Sequence, residues 1–173
     1  MTDQDDAIKS LTRRIQRLED LEEIRNVFNR YSHAMDSGFD SNAIATLFTE
    51  DAVWSIAPAT PVTGVHRGRD AIREFFAQLP NEYRWTMHNM GTEIIDVADD
   101  GLTATGTWYL VDPCTMKRSP DDEEGEAVFI TGIYRNRFTR ADGFWQIQEL
   151  AAEMWNISTW ETGWVREQYR SVS

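Results

Sequence analysis

The hydrophobic period of this chain changes at Pro80, from steps of three and four residues to steps of two, and that change decides most of what the chain can fold into. Ahead of Pro80, apolar residues recur at Ile8, Leu11, Ile15 and Leu18, and then at Leu21, Ile24, Phe28, Tyr31 and Met35. That spacing predicts helix. Asp20 followed by Glu23 reads as an N-terminal capping pair, so a loose leading helical segment over 1–19 is expected to precede a packed helix from about Asp20 to Asp36, where the single domain of 20–173 begins. Ser37-Gly38 ends the helix. Ser41 is placed to cap a short second helix whose buried face is Ile44, Leu47 and Phe48. Ala52 to Ile56 reads as a strand, and the Pro and Gly residues of PATPVTG break the chain after it. A third helix over Asp70 to Leu79 carries apolar residues at 72, 75, 76 and 79, a face for packing on a sheet.

Beyond Pro80, the segments Trp85 to Val97, Thr103 to Val111, Ala127 to Phe138 and Phe144 to Trp155 all alternate as strands do. Asp99-Asp100-Gly101 and Ala141-Asp142-Gly143 are hairpin signals, so at least two joins are tight and antiparallel. Asp112 to Glu126 contains Asp121-Asp122-Glu123-Glu124 and reads as a long exposed loop, because such a run repels itself out of any core. It lacks the alternating spacing and Gly of a calcium loop, so no metal is expected there. The order of two helices, strand, helix and four long strands predicts an α+β architecture: a cone-shaped barrel made of a strongly curved, mostly antiparallel sheet closed by the N-terminal helices. The apolar interior of such a cone suits a small organic ligand. Its candidate substrate-binding residues are Trp54, Met90, Trp108, Phe129 and Trp155.

The 173 residues suffice for one domain with a real core, and 41% of them are hydrophobic, with seven Trp and eight Phe to fill or line it. A formal net charge of −12 repels phosphate backbones and anionic lipid surfaces, so neither nucleic acid nor membrane is expected as a partner. A small hydrophobic or polycyclic substrate is expected instead, together with a homo-oligomer, a dimer or trimer, to cover an open sheet rich in Trp. The one Cys, Cys114, cannot form an internal disulfide, and MTDQDDAIKSLTRR lacks the basic-then-apolar pattern of a secretion signal. A cytoplasmic location follows as the expectation, and it leaves the sequon Asn156-Ile157-Ser158 as a chance match.

Three residues carry the candidate chemistry. Tyr31 and Asp36 lie near the end of the packed helix, and His88 lies in Trp85-Thr86-Met87-His88-Asn89-Met90-Gly91, where alternation puts His88 and Met90 on one face. Together they supply a hydrogen-bond donor, a carboxylate and a proton-transfer base, the minimum for removing a proton from carbon. Residues five apart on a helix are about 140° apart around its axis, so Tyr31 and Asp36 can share a cavity only if the helix end enters its mouth. A carboxylate at a helix C-terminus is disfavoured by the dipole and calls for a partner. His88 is one candidate, and His33, three positions earlier, is the other. A backbone carbonyl satisfying a buried His88 is as available a reading as a general base. His66, between Gly64 and Gly68, reads as a surface loop residue. Glycine-rich nucleotide motifs, Cys pairs, paired His ligands and a nucleophile elbow are all absent. Cys114 has no activating base nearby in sequence. No cofactor is expected.

The runs Tyr31 to Gly38, Leu47-Phe48-Thr49-Glu50-Asp51-Ala52-Val53-Trp54, Gly68-Arg69-Asp70-Ala71-Ile72 and Met87-His88-Asn89 resemble the SnoaL-like branch of the nuclear transport factor 2-like superfamily, whose fold is the cystatin-like cone. The resemblance covers roughly Leu18 to Trp155. Within that branch the chain looks like the group of scytalone dehydratase, bile-acid 7α-dehydratase and hexachlorocyclohexane dehydrochlorinase. The resemblance implies a cofactor-independent lyase of the dehydratase type, with His88 as base, Asp36 as its orienting partner and Tyr31 at the position of the dehydratase tyrosine. An isomerase or cyclase using the same base, or a non-catalytic binding subunit, are the alternatives within the superfamily. One position departs from the pattern: several members carry an Arg in the last strand where this chain has Leu150, and Arg135 or Arg137 could replace it only by pointing inward.

Overall fold

In the computed structural model, which describes residues 3–57, 64–119 and 121–170, a single helix α1 runs unbroken from Asp3 to Asp36. The break expected at Asp20 is absent. Asp20 is buried in mid-helix, where its carboxylate accepts from Trp145 Nε1 at 3.2 Å and pairs with Arg140 at 2.8 Å, so it serves a tertiary anchor rather than a cap. The helix nonetheless changes character there. Ile8, Leu11, Ile15 and Leu18 are each more than half exposed, whereas Ile24, Phe28, Tyr31 and Met35 are buried. Gly38, with φ +77°, and Phe39, with φ +57°, turn the chain out of α1, and the Phe39 N–H closes on the Met35 carbonyl at 2.9 Å. The next helix, α2 (Ser41–Thr46), is capped one residue earlier than expected, by Asp40 accepting from the Ala43 N–H at 3.0 Å.

Strand β1 (Phe48–Ile56) begins four residues before the expected Ala52, and it pairs antiparallel with β2 (Gly64–Arg67). The break expected from PATPVTG falls on 58–63, outside the described residues. Helix α3 (Arg69–Gln78) buries Ile72 and Phe76 and passes at Pro80 into a 3-10 turn, Leu79–Asn81. Then come β3 (Tyr83–Thr86), β4 (Asn89–Val97), β5 (Thr103–Met116), β6 (Glu126–Ala141), β7 (Phe144–Thr159) and the short α4 (Gly163–Arg166). They form one seven-stranded sheet in the order β2-β1-β7-β6-β5-β3, with β4 also on β5, and among the described strands only the β1–β7 pairing is parallel. The architecture is α+β, a strongly curled half-barrel whose concave face is covered by the N-terminal helices.

Two departures from the expected strands shape the interior. The segment Trp85 to Val97 is two strands, not one, interrupted at Met87-His88 opposite Asp112-Pro113 of β5. Pro113 has no N–H to offer either neighbour, and the interruption leaves His88 at a joint rather than inside a strand. In addition, β5 continues to Met116, so Asp112 is a buried strand residue and the exposed loop is only 117–125. Asp122 organises that loop. It accepts from the Arg118 guanidinium and from the N–H groups of Arg118, Glu124 and Gly125, which hold its carboxyl well below the usual range. Among the described residues no group of three or more His, Cys, Asp or Glu is arranged to hold a metal. None of the described helices is long and apolar enough to cross a membrane.

Phe28 lies where α1 meets the concave face, fully buried with its ring 4.2 Å from that of Trp108 and 5.7 Å from that of Tyr134. Phe28→Ala is expected to cost about 3–5 kcal/mol of stability. Arg137→Ala, which removes an exposed pair with Glu149 at 3.7 Å, is expected to cost less than about 0.5 kcal/mol. Urea unfolding of the two variants checks this, and equal losses would contradict the assignment of the core.

Candidate active site

Asp36 is the last residue of α1, where the carbonyl end of the helix opposes a negative charge. The compensation comes from His88. Its backbone N–H donates to both Asp36 oxygens, at 3.0 and 3.2 Å, and its ring Nδ1 lies 2.8 Å from Oδ1. Four residues earlier on the helix, Ser32 donates its hydroxyl to the His88 carbonyl at 2.7 Å. One turn of α1 therefore grips both polar ends of residue 88, which the β3–β4 interruption leaves without strand partners. His33, the rival partner for Asp36, is exposed.

The hydrogen-bond network fixes the imidazole tautomer. Thr86 Oγ1 donates its single proton to Asp112 Oδ1 at 2.7 Å, so towards His88 Nδ1, 3.2 Å away, it can only accept. Asp36 is an acceptor as well. Nδ1 thus carries the hydrogen, and in the neutral ring the Nε2 lone pair is open. Asp112 flanks that side. It is almost wholly buried, takes the Met87 N–H at 3.1 Å on Oδ1, and holds Oδ2 3.7 Å from His88 Nε2. One imidazole is thereby set between two carboxylates, both of which stabilise it if it takes up a proton.

His88 and Asp112 form part of the wall of a narrow cavity of ≈ 70 Å³ that reaches Tyr31 and Tyr134. Apart from Glu82 and Tyr83 the rest of the wall is apolar, chiefly Met35, Phe39, Trp54, Phe75 and Phe76. Tyr31 is fully buried and accepts from Trp54 Nε1 at 2.9 Å, which leaves the phenol proton to be given elsewhere. Burial pushes the phenols of Tyr31, Tyr83 and Tyr134 up, so all three face the cavity as neutral groups able to donate. Burial, reinforced by Asp112, pushes the Cys114 thiol up too, the opposite of what a nucleophile needs.

The structure puts Tyr31, His88 and Trp54 in the wall of one cavity, with Asp36 behind His88 and outside that wall, and four expected lining residues lie elsewhere. Trp108 is in the core behind Phe28, with Nε1 on Glu93 at 3.2 Å. Met90 packs against the core beside β5. Phe129 faces outward onto the exposed Trp160 and Trp164, and Trp155 faces outward onto Tyr109. The reason is strand parity: inward residues of β6 are Val128, Ile130 and Tyr134, which puts Phe129 on the other side. His66 is also not a loop residue. It sits on β2 with its ring stacked 4.2 Å from Phe75, and burial lowers its pKa.

Leu150 is buried on β7, 1% exposed, opposite Asn136 and Trp54. Neither Arg135 nor Arg137 points inward, since they pair on the outer face with Glu153 and Glu149. Among the described residues the cavity wall contains no Arg or Lys. Asp112, Thr86 and Tyr134 are the site residues that sequence reasoning missed. A signal for Asp112 existed in the alternation Trp108, Leu110, Asp112, Cys114, Met116, which continues the inward series of β5 past the proline.

This fold has known counterparts. The chain belongs to the SnoaL-like domain family, whose model matches residues 16–151. Among solved structures it is similar to a hexachlorocyclohexane dehydrochlorinase, LinA type 2, at 17% identity over 84% of this chain and 91% of that one, with a TM-score of 0.72. It is also similar to a candidate scytalone dehydratase from Novosphingobium aromaticivorans, at 22% identity over 80% and 86%, TM-score 0.67. An NTF2-like protein with a cystatin-like fold from the same organism matches at 24% identity over 84% and 88%, TM-score 0.64. At these identities the likeness establishes the fold.

Removing the Asp36 carboxylate would leave the His88 N–H and Nδ1 without their main acceptor. Asp36→Ala is expected to lower stability by about 1–3 kcal/mol while the far-ultraviolet circular dichroism stays native. A variant as stable as the parent in urea would show that the contact is not held in solution.

Proposed function

We propose that this protein is a cofactor-independent lyase of the dehydratase type, acting on a small, largely apolar ring compound that carries a carbonyl and a β-hydroxyl. The observation that carries the reading is the tautomer: with Nδ1 committed to Asp36 and Thr86, the one basic nitrogen left to His88, a residue of the cavity wall, is Nε2. In the proposed step, Nε2 takes the proton alpha to the carbonyl, and the C–H electrons form the new double bond as the β C–O bond breaks. The imidazolium gives that proton to the departing oxygen, which leaves as water and returns His88 to its neutral form. Asp36 orients the ring and, with Asp112, stabilises the imidazolium. Tyr31, kept neutral by burial, donates to the carbonyl oxygen as charge develops there.

The cavity's character supports the substrate class. Its wall is mostly aromatic and Met side chains, and its small volume favours a compact flat ring over a bulky polycyclic skeleton. Among the described residues the wall has no Arg or Lys to pair with a departing anion such as chloride, whereas water leaves neutral. The same missing cation favours one alternative, an isomerase in which the proton returns to the substrate and nothing leaves.

A panel of cyclic β-hydroxy ketones incubated with the protein, followed by mass spectrometry in H₂O and D₂O, separates these readings. Dehydration gives a product lighter by one water, and isomerisation an unchanged mass with deuterium incorporated. His88→Gln is expected to lower turnover by about 10²–10⁴ with the fold intact. Unchanged turnover in that variant would remove His88 from the chemistry.

A further inference from the structure

The leading part of α1 has no role in the cavity, yet it carries an ordered apolar stripe. Ile8, Leu11, Ile15 and Leu18 follow one another at steps of three, four and three, all on one side of the helix and each exposed. The 17 helical residues ahead of Asp20 would extend about 25 Å at 1.5 Å per residue. Four large aliphatic side chains in a row facing water are a surface awaiting a partner.

The spacing identifies what fits. Steps of three and four are the seam of a coiled coil, with Ile8 and Ile15 at one core position of the seven-residue repeat and Leu11 and Leu18 at the other. Isoleucine at the first and leucine at the second is the arrangement that favours two parallel strands. Charge makes the same choice. In a parallel pair Arg14, which precedes Ile15, faces Glu19 of the other helix, five positions on. In an antiparallel pair the flanking contacts would instead set Arg14 against Arg14 and Asp5 against Glu19, both repulsive.

We propose that α1 pairs this protein with a second copy of itself through a parallel two-stranded coiled coil built on Ile8, Leu11, Ile15 and Leu18. The pairing leaves the cavity of each copy untouched, since that wall begins at Tyr31. It is independent of the reaction proposed above.

The test uses the full chain in sedimentation equilibrium at micromolar concentration. The parent is expected at an even multiple of the 20.0 kDa chain, and Ile15→Asp with Leu18→Asp is expected to halve that mass while the urea transition of the domain persists. Leu11→Cys should cross-link to itself on oxidation, as parallel register requires, with the natural Cys114 buried and silent. Arg14→Glu should weaken association severalfold, and adding Glu19→Arg should restore it. An unchanged mass in the double aspartate variant would overturn the proposal. So would cross-linking only between mixed Ile8→Cys and Leu18→Cys chains, which marks an antiparallel pair, or a monomeric parent that binds anionic phosphatidylserine vesicles through this helix.

Discussion

The site depends on one contact, the Asp36 carboxylate at the C-terminal end of α1 holding the N–H and the ring of His88. Each partner solves the other's problem. A carboxylate facing the carbonyl end of a helix needs donors, and a residue at the joint between β3 and β4 needs acceptors and a fixed side chain. Because the helix grips residue 88 by its backbone as well as its ring, the imidazole is located by the fold rather than by its own rotamer preference.

The joint itself follows from β5. Pro113 gives no N–H, and the neighbouring Asp112 turns its carboxylate to Thr86 and to the Met87 N–H, replacing ladder bonds with side-chain bonds. The same carboxylate reaches towards His88 Nε2. An interruption that weakens the sheet locally thus supplies two buried polar partners to a single imidazole, and every donor around it is accounted for. The aromatic wall keeps that arrangement in a setting where a hydrogen bond or a charge counts for more than in water.

Much of this was legible in the residues, and the failures have physical causes. The change of period at Pro80 gave the element order and the α+β class, and the dipole argument at Asp36 called for a partner and left His88 and His33 as candidates, between which only the structure decides. The expected break at Asp20 failed because a capping pattern looks the same in mid-helix, where Arg140 and Trp145, more than a hundred residues away, claim the carboxylate. Asp112 was read as loop because Pro113 and the acidic run behind it outweighed the alternation. Phe129 and Trp155 were assigned to the cavity on residue type, which says nothing of strand parity. Trp108 is on the inner side but is screened from the cavity by its packing on Phe28. Leu150 is buried, and the sequence alone could not show that Arg135 and Arg137 turn outward to Glu153 and Glu149.

The central claim is that His88 presents a bare Nε2 to the cavity because Nδ1 carries the hydrogen. Long-range ¹H–¹⁵N NMR on ¹⁵N-histidine-labelled protein, at a pH where the ring is neutral, reads the tautomer directly. The account predicts a protonated Nδ1 and an Nε2 shift characteristic of an unprotonated nitrogen. An Nε2–H tautomer, with Nδ1 bare beside Asp36, would contradict it.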